Sequence, residues 1–315
     1  TYQPQHGPGA RAAISEMGPS LIGQSLLTPL LLNRKMDNLL NGHNYAKTAI
    51  DVAAMDILAR HYNIRVCDML GGAASEKLPA YYASGIGDPE ETAELAKDKA
   101  KQGYPRFQIK VGGRDIAIDI AVVRKVWEAV GYGIQLVVDA NRGLTASQAL
   151  RLCLACKDIP FVLEQPCSTI EEILSIRAQI SHPIYLDENT ENLNDIVRAI
   201  SLGVCDGFGL KLSRLGGLSK FAVVRDLCAS RSLPHTCEDT WGGDITAAAC
   251  LHIAATVQPH LLEAVWTAGS YIEQHYDPKN GIKIENGHFK LPGGIGLGIT
   301  PDESIFGTPI VSFGG

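Results

Sequence analysis

Five residues, Lys110, Asp139, Glu164, Asp187 and Lys211, follow one another at intervals of 29, 25, 23 and 24 positions. Each interval is about the length of one strand-plus-helix unit, and each residue closes a short β-rich run, so a parallel sheet would bring three carboxylates side by side with a lysine on either flank. Three carboxylates crowded into a partly buried site repel one another, which makes a divalent cation their natural occupant. Magnesium is expected, because the donors are hard oxygens with no Cys or His among them. Removing a proton next to a substrate carboxylate leaves an enediolate with extra charge on oxygen, and a cation touching that oxygen stabilises it. A neutral lysine can take such a proton and a charged lysine can return it, provided burial or neighbouring cations bring their pKa values down. With one lysine on each face, abstraction and return occur from opposite sides and invert a stereocentre. A lone acidic residue at a strand end commonly caps the next helix, and a lone lysine is commonly a solvated surface group; five at consecutive strand ends point to one shared purpose.

The elements that must hold these residues can be read in order. From about residue 8 to 70 the pattern is largely helical, clearest where Ala46, Ile50, Ala53, Ala54, Ile57 and Leu58 recur at three- and four-residue steps. After Gly71 and Gly72 come eight β-rich runs: Leu78 to Ser84, Arg106 to Lys110, Gln135 to Asp139, Phe161 to Glu164, Ile184 to Asp187, Gly207 to Lys211, Leu233 to Cys237 and Leu261 to Val265. Helical stretches alternate with them, such as Ile116 to Val130, Ser147 to Cys156, Thr169 to Ile180, Leu193 to Leu202 and Leu218 to Ser230. Eight such units predict an α/β fold of the closed TIM-type (β/α) barrel, whose active sites sit at the carboxyl ends of the strands. An open doubly wound sheet would favour an early glycine-rich phosphate loop, which the Gly112/Gly113 and Gly216/Gly217 pairs do not complete. The expected division is a capping domain over residues 1–75, the barrel over 76–267, and a Gly- and Pro-rich segment over 268–315 that returns to the cap.

Composition narrows the class. Apolar residues make up 45% of the 315 and charged residues 20%, with a formal net charge of -6, as in a globular enzyme with a large core. Basic pairs such as Arg34/Lys35 are too short and scattered for a nucleic-acid footprint, and no run approaches a membrane span. Eight cysteines at irregular spacing read as reduced thiols in a cytoplasmic setting, with Cys153 and Cys156 as core packing. The expected partner is a small polar substrate, with no nucleic acid and no membrane, and a symmetric homo-oligomer is the ordinary assembly for such barrels. The chain opens at Thr1 in mid-pattern, from which a preceding segment is expected.

At these same positions the sequence resembles the enolase superfamily, in its muconate lactonizing enzyme-like subgroup. The motifs are Gln108-Ile109-Lys110, Asp139-Ala140-Asn141, Glu164-Gln165-Pro166, Leu186-Asp187-Glu188 and Lys211-Leu212, and the likeness covers essentially the whole chain. It implies that Asp139, Glu164 and Asp187 bind Mg2+, and that Lys110 and Lys211 are the acid/base pair of a racemase or epimerase. Many members carry a further lysine two residues before the first base, where this chain has Gln108. The resemblance also implies an α+β capping domain whose first strands and lid would precede Thr1, so that domain is expected to be truncated here.

Longer strings, Gly42 to Lys47, Tyr81 to Gly87 and Trp241 to Asp244, resemble enzymes that epimerise proline-type betaines at carbon 2. The implied substrate is a carboxylate bearing a quaternary or secondary amine, such as hydroxyproline betaine or proline betaine. A quaternary ammonium has no N–H to donate, so aromatic faces and nearby anions must hold it. Trp266 after the eighth run and Trp241 after the seventh could supply faces, Tyr2 could reach in from the cap, and Glu238 and Asp239 could supply charge. His235, within the seventh run, is expected to be a packed histidine because Lys211 already provides the second base. Two other readings stand beside this one. An elimination enzyme, a dehydratase of a hydroxyproline or sugar acid, would share the metal and the first proton abstraction; a non-catalytic barrel that only binds or assembles would need neither lysine.

Overall fold

A computed structural model of the chain describes residues 6–272 and 274–314. Helices α1 (Gly7–Leu21), α2 (Pro29–Leu39), α3 (Asn44–His61) and α4 (Val66–Met69) come first. Met17, Leu32, Met36, Ala46 and Ala54 form a small core of their own. Then β1 (Lys77–Pro79) and β2 (Tyr81–Ala83) lead into the alternation α5 (Pro89–Lys101), β3 (Arg106–Lys110), α6 (Ile116–Val130), β4 (Gln135–Asp139), α7 (Ala146–Ala155), β5 (Phe161–Glu164), α8 (Ile170–Arg177), β6 (Ile184–Leu186), α9 (Leu193–Leu202), β7 (Gly207–Lys211), α10 (Leu212–Leu215), α11 (Leu218–Ser230), β8 (His235–Glu238), α12 (Asp244–Ala255) and β9 (Leu262–Trp266). Two short strands follow, β10 (Ile284–Glu285) and β11 (His288–Lys290).

Strands β2 to β9 form one eight-stranded parallel sheet in sequence order, and a parallel bridge between Ala80 and Val265 closes it into a barrel. Local chemistry sets the boundaries. Thr145 and Gln148 form a capping box at the start of α7, Thr169 and Glu172 do the same for α8, and Asn192 caps α9 through Asn194 N and Asp195 N. Gly203, at φ 62°, supplies the left-handed residue that ends α9.

The expected first run, Leu78 to Ser84, is in fact two strands in two sheets. Lys77–Pro79 pairs antiparallel with β11, whereas Tyr81–Ala83 pairs parallel with β3. Between them Ala80 N donates to Gly287 O at 2.9 Å while Ala80 itself forms the closing bridge, so the chain passes from one sheet to the other within a residue, which no period-two pattern records. Three further strands shift by one or two residues: β6 stops at Leu186, β8 covers His235–Glu238, and β9 covers Leu262–Trp266. The carboxy-terminal segment runs back along the first helices. Gly296 exchanges hydrogen bonds with Val66 N at 3.0 Å and Ile64 O at 2.9 Å, and the Phe313 ring lies against Gly18, where a Cβ would meet it at 2.4 Å. Among the described residues, no helix is long and apolar enough to cross a membrane.

Two buried histidines give the fold a pH dependence of known sign. His235 and His252 are fully buried, and burial pushes each pKa down to about 4. His252 Nδ1 accepts from Cys67 N at 3.2 Å, joining α12 to α4, which requires that nitrogen to be unprotonated. The unfolded chain takes up protons near pH 6.5, so this stability is present above about pH 6.5 and is lost as pH falls toward 4. Each histidine is expected to cost about 2 kcal/mol at pH 5. Urea unfolding at pH 7.5 and 5.0 checks this: His252→Gln, which keeps an acceptor for Cys67 N, should narrow the difference by that amount. An unchanged difference would assign the acid sensitivity elsewhere.

Candidate active site

Side chains alternate across each stave of the barrel. Phe107 and Ile109 pack outward beneath the helices, as do Leu136, Val138 and Leu163, leaving Arg106, Gln108 and Lys110 of β3, Asp139 of β4 and Glu164 of β5 facing inward. Strand register sets their height: Lys110 pairs with Asp139, Asp139 with Glu164, and Lys211 with Glu238. Lys110, Asp139, Glu164 and Lys211 all line a cavity of about 380 Å³ at the mouth, large enough for a ring-sized molecule. Asp187 follows β6 directly and is set back, 1% exposed.

Polar contacts knit this group together. Lys110 Nζ donates to Asp139 Oδ2 at 2.5 Å and to Asn141 Oδ1 at 2.8 Å. Lys211 Nζ lies 2.7 Å from both Asp187 oxygens and 2.7 Å from Glu238 Oε2. Gln108 Nε2 donates to Glu164 Oε2 at 3.0 Å, and Arg214 Nη1 donates to Asp187 Oδ1 at 2.5 Å. Burial, and after it the charges of Asp139, Glu238 and Asp187, push the Glu164 carboxyl well above its ordinary range. Asp187 goes the other way, because Arg214 and Lys211 outweigh its burial. For Lys110 burial works against the charge, but Asp139 and Glu164 prevail and raise the pKa. The carboxylates that would hold a cation thus stand beside the two lysine ammonium groups.

Whether a metal suits these residues follows from the same observations. Among the described residues no three His, Cys, Asp or Glu side chains are gathered at closed chelating distance; ammonium groups bridge the acids instead. Yet Gly209 on β7 keeps the acids close, since a Cβ there would lie 3.1 Å from Glu164 Oε1, 3.4 Å from Asp187 Cβ and 3.5 Å from Glu238 Oε1. Hard oxygen donors crowded until one is forced toward its neutral form suit a dication such as magnesium. Asp139, Glu164 and Asp187 are the residues that could hold it. Left-handed backbone at Asn141 (φ 43°) and Gln165 (φ 35°) marks local strain just past two of the three acids. Gln165 Oε1 also accepts from Asp187 N at 2.9 Å, fixing the third.

The far wall is aromatic. Trp241 and Trp266 ring centres are 5.4 Å apart, and Tyr271 lies 5.2 Å from the first and 5.8 Å from the second. Tyr271, in a short turn after β9, carried no sequence signal; it was one tyrosine in a segment without periodicity. Trp241 is 58% exposed and sits at the rim with φ 66°. Asp239 lines the cavity, but its oxygens are taken by Trp241 N at 3.0 Å and Ala268 N at 2.9 Å. It fixes the two aromatic-bearing loops rather than presenting a free carboxylate; burial, and then Glu238, raises its pKa to about 7. Of the two adjacent acids expected to supply charge, Glu238 is the one that reaches the pocket and Lys211; Arg214 and Tyr81 gave no sequence signal, because a lone residue at such positions carries no pattern. His235 starts β8 at the opposite end of the barrel, with Nδ1 at 3.2 Å from Leu233 O, as a packed histidine would. Tyr2 lies outside the described residues.

A closed parallel barrel with acids and lysines gathered at the carboxyl ends of its strands has the architecture of a barrel enzyme, whose active site lies at that rim. The chain belongs to the enolase superfamily, in its muconate lactonizing enzyme-like subgroup: residues 91–305 match the enolase C-terminal domain-like family, and residues 7–71 match the mandelate racemase / muconate lactonizing enzyme N-terminal domain. It is 37% identical over 313 residues to cis-3-hydroxy-L-proline dehydratase of Roseibium aggregatum, spanning 99% of this chain and 84% of that one. It is 25% identical to L-Ala-D/L-Glu epimerase of Clostridium acetobutylicum, over 89% of this chain and 78% of the relative. A solved enolase-superfamily member from Roseovarius nubinhibens, complexed with magnesium, superposes with a TM-score of 0.93 at 32% identity, over 99% of this chain and 84% of that one.

Proposed function

We propose that this enzyme binds magnesium through Asp139, Glu164 and Asp187 and moves the proton on the carbon next to the carboxylate of a proline-type amino acid or betaine, epimerising it. The observation that carries this reading is the placement of the lysines. Lys110 ends β3 and Lys211 ends β7, four staves apart in a ring of eight, so they stand on opposite sides of one cavity. A carbon held between them can lose a proton to one and regain it from the other. Magnesium, when bound, supplies positive charge against the charge developing on the substrate carboxylate and takes up the acids that now hold the lysine protons. A second reading is favoured by the 37% identity to a hydroxyproline dehydratase: the same abstraction, with one lysine protonating a departing β-hydroxyl. A panel of prolines, hydroxyprolines and their N-methylated forms, with dipeptides as controls, separates the two in heavy water. Epimerisation gives deuterium at carbon 2 with inverted configuration; dehydration gives loss of water. Absence of both across the panel would overturn either reading.

The aromatic wall is the proposed seat of the amine. A cation over a ring face gains about 0.5 to 2 kcal/mol, which is roughly 2- to 30-fold. Trp266→Ala is expected to lower kcat/KM for the betaine by that factor and to lower it less for the matching N–H amino acid, which can recover hydrogen bonds to nearby acids. Equal losses for the two substrates would show that the ring does not recognise the cation.

A further inference from the structure

The barrel interior, below the residues that line the cavity, holds a cation that the chemistry above does not use. Arg106 shares the inward face of β3 with Gln108 and Lys110, and it is 1% exposed. Its Nη1 donates to Glu263; the Tyr81 and Tyr185 rings flank it, with the guanidinium carbon 5.7 and 5.8 Å from their centres. Glu263 needs little from it, already accepting from Tyr185 Oη at 3.0 Å and Gln135 Nε2 at 2.9 Å. The other side of the guanidinium is open: Nε and Nη2 have no hydrogen-bond partner among the described residues. That side faces upward, with Nη2 4.0 Å from Glu164 Oε2, the same oxygen that Gln108 Nε2 holds at 3.0 Å.

A buried donor left without an acceptor is costly, so a guanidinium locked with one edge toward a carboxylate calls for a reason. An arginine keeps its charge in a protein and presents its donors in a fixed plane. Here it supplies a permanent cation on the same inward face of β3, two positions before the neutral Gln108. We propose that Arg106 is a positioning residue for Glu164: together with Gln108 it holds Oε2 against the repulsion of the neighbouring acids, so that Oε1 stays turned toward the Asp187 and Glu238 side chains, where a cation would be held. The proposal rests on the magnesium reading above.

Calorimetric titration of magnesium chloride into the metal-free protein tests it without reference to turnover. Outer partners of ligating groups are typically worth 10- to 100-fold in metal affinity, and Arg106→Met is expected to weaken the magnesium Kd by that factor. Arg106→Lys, which keeps the charge, should recover most of the loss. Because Arg106→Met removes the cation beside Glu263, the double variant Arg106→Met/Glu263→Leu removes both charges and provides a second comparison, with the same weakening expected. A merely structural role would lower the melting temperature of the metal-free protein and leave Kd unchanged. A Kd within threefold of wild type, or a tighter one because repulsion of the dication dominates, overturns the role of Arg106 while leaving the magnesium site intact. Failure of the wild-type protein itself to bind magnesium overturns both.

Discussion

Replacing either Lys110 or Lys211 by alanine is expected to abolish epimerisation and to lower kcat by about 10² to 10⁴, the largest effect of any single change in the site. The two variants should differ in kind. Each lysine serves one face of the substrate carbon, so the variant that keeps Lys211 can still exchange the proton of one enantiomer with solvent deuterium, and the variant that keeps Lys110 can exchange that of the other. Neither can complete the inversion. Nuclear magnetic resonance of each enantiomer in heavy water reads both faces separately. Full epimerisation by either single variant would refute the two-base arrangement. If water loss is the reaction, one variant should retain exchange without elimination, which identifies the lysine that protonates the leaving hydroxyl.

Glu164→Gln should remove the response to magnesium. In the wild-type protein, magnesium at a hundred times Kd stabilises the fold by about 2.7 kcal/mol, read as a rise in melting temperature; the variant should show almost none. Its metal-free form, by contrast, is expected to be at least as stable as wild type. Glu164 is 2% exposed and crowded by three other acids, so replacing it with a neutral residue of the same shape relieves repulsion while an amide can still pair with Gln108. This opposite pair of signs distinguishes a metal ligand from a structural carboxylate. A variant that keeps the magnesium response, or that is destabilised without metal, would remove Glu164 from the ligand set.

The barrel and its mouth were legible because period-two strands and evenly spaced charged residues repeat: Arg106–Lys110, Gln135–Asp139, Phe161–Glu164 and Gly207–Lys211 are strands with the boundaries the pattern gives. What escaped was set by tertiary neighbours. Nothing local separates Pro79 from Tyr81, yet one belongs to a sheet with β11 and the other to the barrel. Asp239 and Glu238 are adjacent acids, and only the strand's alternation decides that Glu238 turns to Lys211 while Asp239 turns to two loop amides. Tyr271 has no periodic context, and nothing in the pattern of Arg106–Lys110 tells what its first residue meets, so their neighbours, the two tryptophans and Glu164, became visible only when the chain closed.

That closure restricts where new substrate preferences can arise. Among the described residues the first and last staves share one bridge, Ala80 to Val265, and at the mouth the Tyr271 hydroxyl fastens them by donating to Ala83 O at 2.9 Å. Tyr271 is thus a clasp as well as a wall of the pocket, and altering it loosens the seam along with the recognition surface. Trp241, out on the rim and making no hydrogen bond across that seam among the described residues, is the position at which the proposed amine-binding wall could change without weakening the barrel.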